Sequence, residues 1–239
     1  MSMSSDFDTT QWSLVLAAQG DDTALARRAL EDLCKAYWQP LYAFVRRQGH
    51  SIDDARDLTQ AYFTHLLEKD SLRGLTPAAG RFRSFLLTSI KNLLADERRR
   101  ELALKRGSRN PAISLDFALV ENTLPGEPSD EHTPETVFEK RWALTVLERA
   151  LERVREDSRR RGASRKFEHL KRYLTGEQPN PSYGEVAAEL DMTEEAVAMA
   201  VHRLRKRYGE SLREEIGETI AVAEDLDDEL RYLLAILSS

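Results

Sequence analysis

Two short stretches of this chain hold the side chains with the most chemistry to offer. The first runs Thr193-Glu-Glu-Ala-Val-Ala-Met-Ala-Val-His-Arg-Leu-Arg-Lys-Arg207. With Leu204 at the centre of a helix's buried face, Val197, Ala200, Val201 and Tyr208 fall on the same side at core spacing. Glu195, Ala198, Met199, His202 and Lys206 must then point outward, flanked by Arg203 and Arg205. Such a set can meet base edges and phosphates in a major groove; the blander alternative is a solvated charged face. The second stretch, Gly80-Arg-Phe-Arg-Ser-Phe-Leu-Leu-Thr-Ser-Ile-Lys-Asn92, continues to Arg98-Arg-Arg100 and interleaves aromatics with arginine. Aromatic and guanidinium faces stack on unpaired bases while Arg and Lys follow phosphates. Phe82 and Phe85 would serve equally well as core residues, and on residue types alone the two readings stay level.

The elements that must position these side chains are all helical. Ser182 followed by Glu185 is a capping box, and Val186, Ala187 and Leu190 give the helix after it an apolar face. Asp191-Met-Thr193 breaks the period. Thr193 can cap a second helix whose first turn, Glu194 and Glu195, suits the helix dipole. Upstream, helical periods fill about residues 10–18, 22–48, 51–68 and 80–105, separated by Gly49-His50 and the loop Gly74-Leu-Thr-Pro-Ala-Ala-Gly80. From Gly107 to Pro134 the pattern lapses into prolines and scattered acids, which reads as a linker. Thr133-Pro134 opens a new helix with Trp142, Val146, Leu147, Leu151 and Val154 on one face. Helix resumes around Phe167, Leu170, Tyr173 and Leu174 before the Pro179-Asn-Pro181 break. No alternation is long enough to build a sheet. The expected fold is all-α, with two helical domains at 1–106 and 135–213, a flexible linker at 107–134, a helix-turn-helix in the second domain, and an acidic, amphipathic extension at 214–239.

Composition sharpens the functional classes. The net charge of −6 over 239 residues excludes a bulk polycation that coats nucleic acid. Charge is segregated instead: residues 81–109 and 153–172 each carry nine Lys/Arg against three Asp/Glu, while 214–229 hold eight acids and no base. A single cysteine, Cys34, rules out an internal disulfide and a Cys-based zinc site, and fits a reducing cytoplasm. Its setting, Leu33-Cys34-Lys-Ala-Tyr37, looks like core packing. The histidines lack ligand spacing, so no metal site is expected. No phosphate-loop, nucleophile-elbow or kinase signature is present, and neither an enzyme nor a cofactor is expected. The N-terminus lacks a signal-peptide pattern, and nothing approaches a membrane span.

Asp54-Ala-Arg-Asp-Leu-Thr-Gln60, then Phe82-Arg-Ser-Phe-Leu-Leu-Thr-Ser-Ile-Lys-Asn92 through Arg100, then a loose linker and the Tyr183–Arg207 segment, together resemble a bacterial RNA polymerase sigma factor of the sigma-70 family, extracytoplasmic-function (ECF) type. The resemblance covers roughly residues 10–213. It implies core RNA polymerase and promoter DNA as partners. It implies that Asp54, Asp57 and Gln60 lie on the helix that docks on the polymerase clamp. Phe82, Arg83, Phe85, Asn92, Arg98 and Arg99 would fall where −10 DNA is melted and read, with Asn92 near an extruded base. Thr193, Ala198, Met199, His202, Arg203, Arg205 and Lys206 would meet the −35 element, Arg203 and Arg205 chiefly at phosphates.

Three positions depart from the family pattern. Arg56 stands where the clamp helix usually carries an acid, Phe85 replaces a common tryptophan, and Ala198-Met-Ala200 replaces a frequent Arg-Ser-Arg. Weaker or conditional clamp binding and a private −35 sequence are the implied consequences. Thr59, beside the clamp acids, is a candidate phosphorylation site, since a phosphate adds roughly −1.5 to −2 charges; candidate partners thus include a Ser/Thr kinase or, separately, an anti-sigma factor. The extension after Arg213 offers Leu226, Leu230, Leu233, Leu234 and Leu237 at helical spacing, suited either to docking as an autoinhibitory segment or to completing the core. The rival function is a stand-alone helix-turn-helix regulator that binds duplex DNA without polymerase. It leaves the aromatic and basic block at 81–100 unexplained.

Overall fold

The computed structural model describes residues 15, 18, 19, 23–68, 72, 75, 76, 81–104, 132–175, 181–219 and 226–238. Of the expected helix at 10–18 only residues 15 and 18 are described, and both are helical; almost all of the expected linker lies outside the described residues. All regular structure among the described residues is α-helical: α1 (Thr23–Arg47), α2 (Ile52–Glu68), α3 (Phe82–Leu104), α4 (Pro134–Arg160), α5 (Ser164–Leu170), α6 (Arg172–Thr175), α7 (Tyr183–Leu190), α8 (Glu194–Gly217) and α9 (Leu226–Ser238). Local chemistry explains the starts. Ser51 Oγ accepts from the Asp54 backbone N–H at 3.1 Å and donates to the Asp54 carboxylate at 2.7 Å, capping α2. Thr133 Oγ1 caps α4 ahead of Pro134, whose fixed φ suits the first helical turn. Pro40 sits inside α1, which nonetheless stays helical under the packing around it.

The chain forms two compact units, Met1–Thr145 with Glu218–Ser239, and Val146–Gly217. These bounds differ from the expected ones in two respects. Residues 134–145 of α4 group with the first unit, as do residues 218–239 of the extension, while 214–217 group with the second.

In the first unit, α1, α2 and α3 bury Tyr37, Leu41, Phe44, Tyr62, Leu86 and Ile90, and Phe138, Trp142 and Leu233 are buried in the same unit. Tyr37 meets Phe82 edge-on at 5.5 Å, and Trp38 stacks on Phe63 at 5.8 Å. Tyr62 Oη donates to the Leu86 carbonyl, 3.3 Å away, so the buried phenol has a partner and burial pushes its pKa well above the ordinary range. The Cys34 thiol is half-buried in α1, and burial, followed by the Glu31 charge, pushes it up to about 11.

In the second unit a core of Val154, Phe167, Leu170, Tyr173, Val186, Ala187, Val197, Ala200, Val201 and Leu204 draws on α4 to α8. The C-terminal half of α8 is tied to the second half of α4 by polar groups. Ser211 Oγ donates to the Ala150 carbonyl at 3.1 Å, and the buried Glu215 carboxylate accepts from Arg149 at 3.0 Å and pairs with Arg153 at 2.7 Å. These bonds satisfy a carboxylate that would be costly to bury alone.

Candidate nucleic-acid interface

The second unit presents the Thr193–Arg207 side chains much as their spacing predicts. Ser182 and Glu185 form the reciprocal capping box at the start of α7. Asp191 then adopts a left-handed conformation at φ 53°, and the Met192 N–H bonds back to the Ala187 carbonyl at 2.9 Å. This three-residue turn leads to Thr193, whose Oγ1 caps α8 through the Ala196 N–H at 3.2 Å. Beside Gly184 lies the end of the Glu194 side chain: a Cβ there would lie 2.7 Å from its carboxylate oxygen. Val197, Ala200, Val201 and Leu204 are buried, while Tyr208 is half-buried and donates to the Leu147 carbonyl at 3.3 Å.

The opposite face of α8 is open. Thr193, His202, Arg203, Arg205 and Lys206 are exposed, Ala198 is half-exposed, and the Met199 side chain is 51 % exposed. Arg205 also donates to the Tyr173 carbonyl at 3.4 Å, and Lys206 lies 3.8 Å from Glu210. Met199 and His202 thus form an apolar and polar centre with exposed Glu195 one turn before Met199 and the cations Arg203, Arg205 and Lys206 beyond His202.

In the first unit the expected clamp residues lie along α2. Asp54 and Asp57 are exposed and Gln60 is half-buried. Thr59, one residue from Gln60, is turned the other way: it is 0 % exposed, and its hydroxyl donates to the Ala55 carbonyl at 2.7 Å. A kinase could reach that oxygen only if the helix opened.

The Phe82–Arg100 block divides between inside and outside. Asn92, Arg98 and Arg99 are exposed on α3, with Arg99 paired to Asp96. Phe85 is half-buried, 5.9 Å from Phe82. Phe82, expected to stack on bases, is 1 % exposed because it faces the same way as Leu86 and Ile90 and fills the space beside Tyr37. Arg83, expected to meet DNA, is 2 % exposed. Its guanidinium donates to Glu139 at 3.0 Å and to Glu229, and lies over the Trp142 ring at 4.0 Å. Burial alone lowers the pKa of that guanidinium, but the Glu139 charge and the Glu229 hydrogen bond outweigh it, so it remains fully charged. Burial also holds the Glu139 carboxyl above the usual range, against the pull of Arg83.

Sequence reasoning passed over Glu229, Glu139 and Tyr232. Glu229 carried a signal: it stands three residues after Leu226 and four before Leu233, inside the apolar stripe of α9 rather than on the acidic face.

Among the described residues no group of His, Cys, Asp or Glu is placed to hold a metal ion, and no helix is long and apolar enough to cross a membrane. The geometry is thus that of an all-helical protein with a cationic recognition-type face on α8 and an acid-bearing helix α2 ahead of an arginine-rich α3. Residues 33–103, spanning most of α1 and all of α2 with α3 almost to its end, match the family model for Sigma-70 region 2. The match makes this segment similar to region 2 of the sigma-70 family. No curated protein and no solved structure matches the chain.

Proposed function

We propose that this chain is a sigma factor of the extracytoplasmic-function type, which binds core RNA polymerase and directs promoter recognition and transcription initiation. The observation that carries this reading is the Sigma-70 region 2 match over residues 33–103, which takes in the acid-bearing α2 and the arginine-bearing α3 in the order the role requires. Asp54, Asp57 and Gln60 on α2 meet the polymerase clamp. Asn92, Arg98, Arg99 and the partly open Phe85 on α3 meet −10 DNA, where the cost of extruding a base is only a few kcal/mol. Phe82 supports that surface from within. The α7–α8 pair serves as a helix-turn-helix, with Met199 and His202 at −35 base edges and Arg203, Arg205 and Lys206 at phosphates. A cytoplasmic location follows from the polymerase as partner.

Capture of core RNA polymerase by the tagged chain, followed by transcription from a promoter library, tests the reading. A complex that initiates at a shared promoter motif is expected. Duplex binding without polymerase capture would instead establish a stand-alone regulator. In the assembled complex Arg203→Ala should weaken binding across promoters and reduce the salt slope by about 1, the signature of one lost phosphate contact. Met199→Arg should change which −35 sequence is preferred.

A further inference from the structure

Arg81 and Arg83 leave the start of α3 side by side, and both are occupied by one segment of the same chain. Glu229 on α9 is 0 % exposed; it pairs with Arg83 through Oε1, and its Oε2 lies 2.8 Å from Arg81 Nη2, a charge contact whose angles fall short of a hydrogen bond. Three residues on, the Tyr232 ring lies over both guanidiniums, at 5.7 Å from Arg81 and 5.3 Å from Arg83. Leu233, fully buried, anchors the helix on this unit. A carboxylate and an aromatic face set one helical turn apart offer the two arginines the two chemistries of a nucleotide, an anion and a flat π-surface. The cluster is neutral with α9 in place: Arg81 and Arg83 face Glu229 and Glu139. With α9 displaced, Glu139 alone remains against two cations, and the site carries a net positive charge at the head of the helix that bears Asn92.

We propose that Arg81 and Arg83 form one nucleotide site, held in cis by Glu229 and Tyr232 of the C-terminal helix and taken in trans by a phosphate and base of single-stranded DNA, so that α9 and the melted strand compete. The competition follows from geometry, since the Arg83 guanidinium cannot meet solvent while Glu229 and Trp142 cover it. Linkage sets its size: the apparent affinity for DNA is the intrinsic one reduced by the fraction of molecules with α9 displaced. This inference rests on the −10 assignment of α3 and adds a built-in competitor to it.

The test uses the full chain and a fluorescein-labelled oligo-dT of about 12 nucleotides, enough to span one such site. Binding is followed by anisotropy at low salt beside a duplex of the same length. Glu229→Gln keeps the shape and removes the anion; Tyr232→Leu removes the ring. Asp228→Asn removes one charge at an exposed α9 position, where Asp228 pairs with Arg231, and so controls for net charge. Glu229→Gln should tighten oligo-dT binding by about tenfold, within the usual span of coupling between two sites, with a smaller gain for Tyr232→Leu and less than about twofold for Asp228→Asn. In the parent protein, saturating oligo-dT should speed amide exchange across residues 226–238. Equal effects of Glu229→Gln and Asp228→Asn, a lower melting temperature without a gain in affinity, or unchanged α9 exchange in the DNA-bound protein would each overturn the proposal. The same results alongside intact polymerase capture and transcription would leave the sigma-factor reading standing. Loss of polymerase capture is the separate failure of that reading.

Discussion

Replacing Phe82 by alanine separates a core role from a DNA-stacking role at the most crowded point of the first unit. The ring is almost fully buried, edge-on to Tyr37 and 5.9 Å from Phe85, on the helix face that also buries Leu86 and Ile90. Truncating such a ring removes its transfer energy and opens a cavity, at a cost of about 3–5 kcal/mol, of which the Tyr37 edge contact accounts for about 1. For a unit of this size each kcal/mol lowers the melting temperature by about 2–4 °C, so Phe82→Ala should melt about 6–20 °C below the parent. Phe82→Leu keeps most of the volume and should recover more than half of that loss. Asn92→Ala, at an exposed position of the same helix, should leave stability within about 0.5 kcal/mol while weakening binding to pre-melted promoter DNA more than to duplex. Thermal unfolding by far-ultraviolet circular dichroism, run beside anisotropy on both DNA forms, supplies the readouts. If Phe82→Ala melts within about 2 °C of the parent yet loses single-strand affinity, the ring faces DNA and the packing argument is wrong.

Asp191 occupies a left-handed backbone position that costs an L-residue strain, so Asp191→Gly should be neutral or stabilising, whereas Asp191→Val should cost about 1–2 kcal/mol in urea unfolding of the second unit. Glu215→Gln should destabilise that unit by about 2 kcal/mol, because Arg149 and Arg153 both lose a charged acceptor; a change below about 0.5 kcal/mol would show that solvent replaces it freely. The Cys34 thiol, raised to about 11 by burial, should react sluggishly with thiol reagents at neutral pH, with a rate that climbs roughly tenfold per pH unit up to that value. Unfolded protein should react at the rate of an ordinary thiol, and equal native and unfolded rates would place Cys34 outside the packed face of α1.

The sequence by itself determined the described helices and which side of α8 turns outward. Ser182 with Glu185, Thr193, and Thr133 with Pro134 are local devices that act within a turn, and the i, i+3, i+4 spacing of Val197, Ala200, Val201 and Leu204 sets which side of α8 turns inward whatever else the chain does. Met199 and His202 face out for the same local reason. Only the tertiary structure decided the fate of Arg83, Phe82 and Glu229. An arginine in helical register with Leu86 and Ile90 is compatible with a wet surface or with a buried pair, and the outcome depends on whether a carboxylate arrives from elsewhere to offset the desolvation of the guanidinium. Here Glu139 arrives from 56 residues away and Glu229 from 146, separations over which periodicity carries no information. The same long-range partnership draws the C-terminal helix into the first unit, a choice between docking and core packing that its apolar stripe left open.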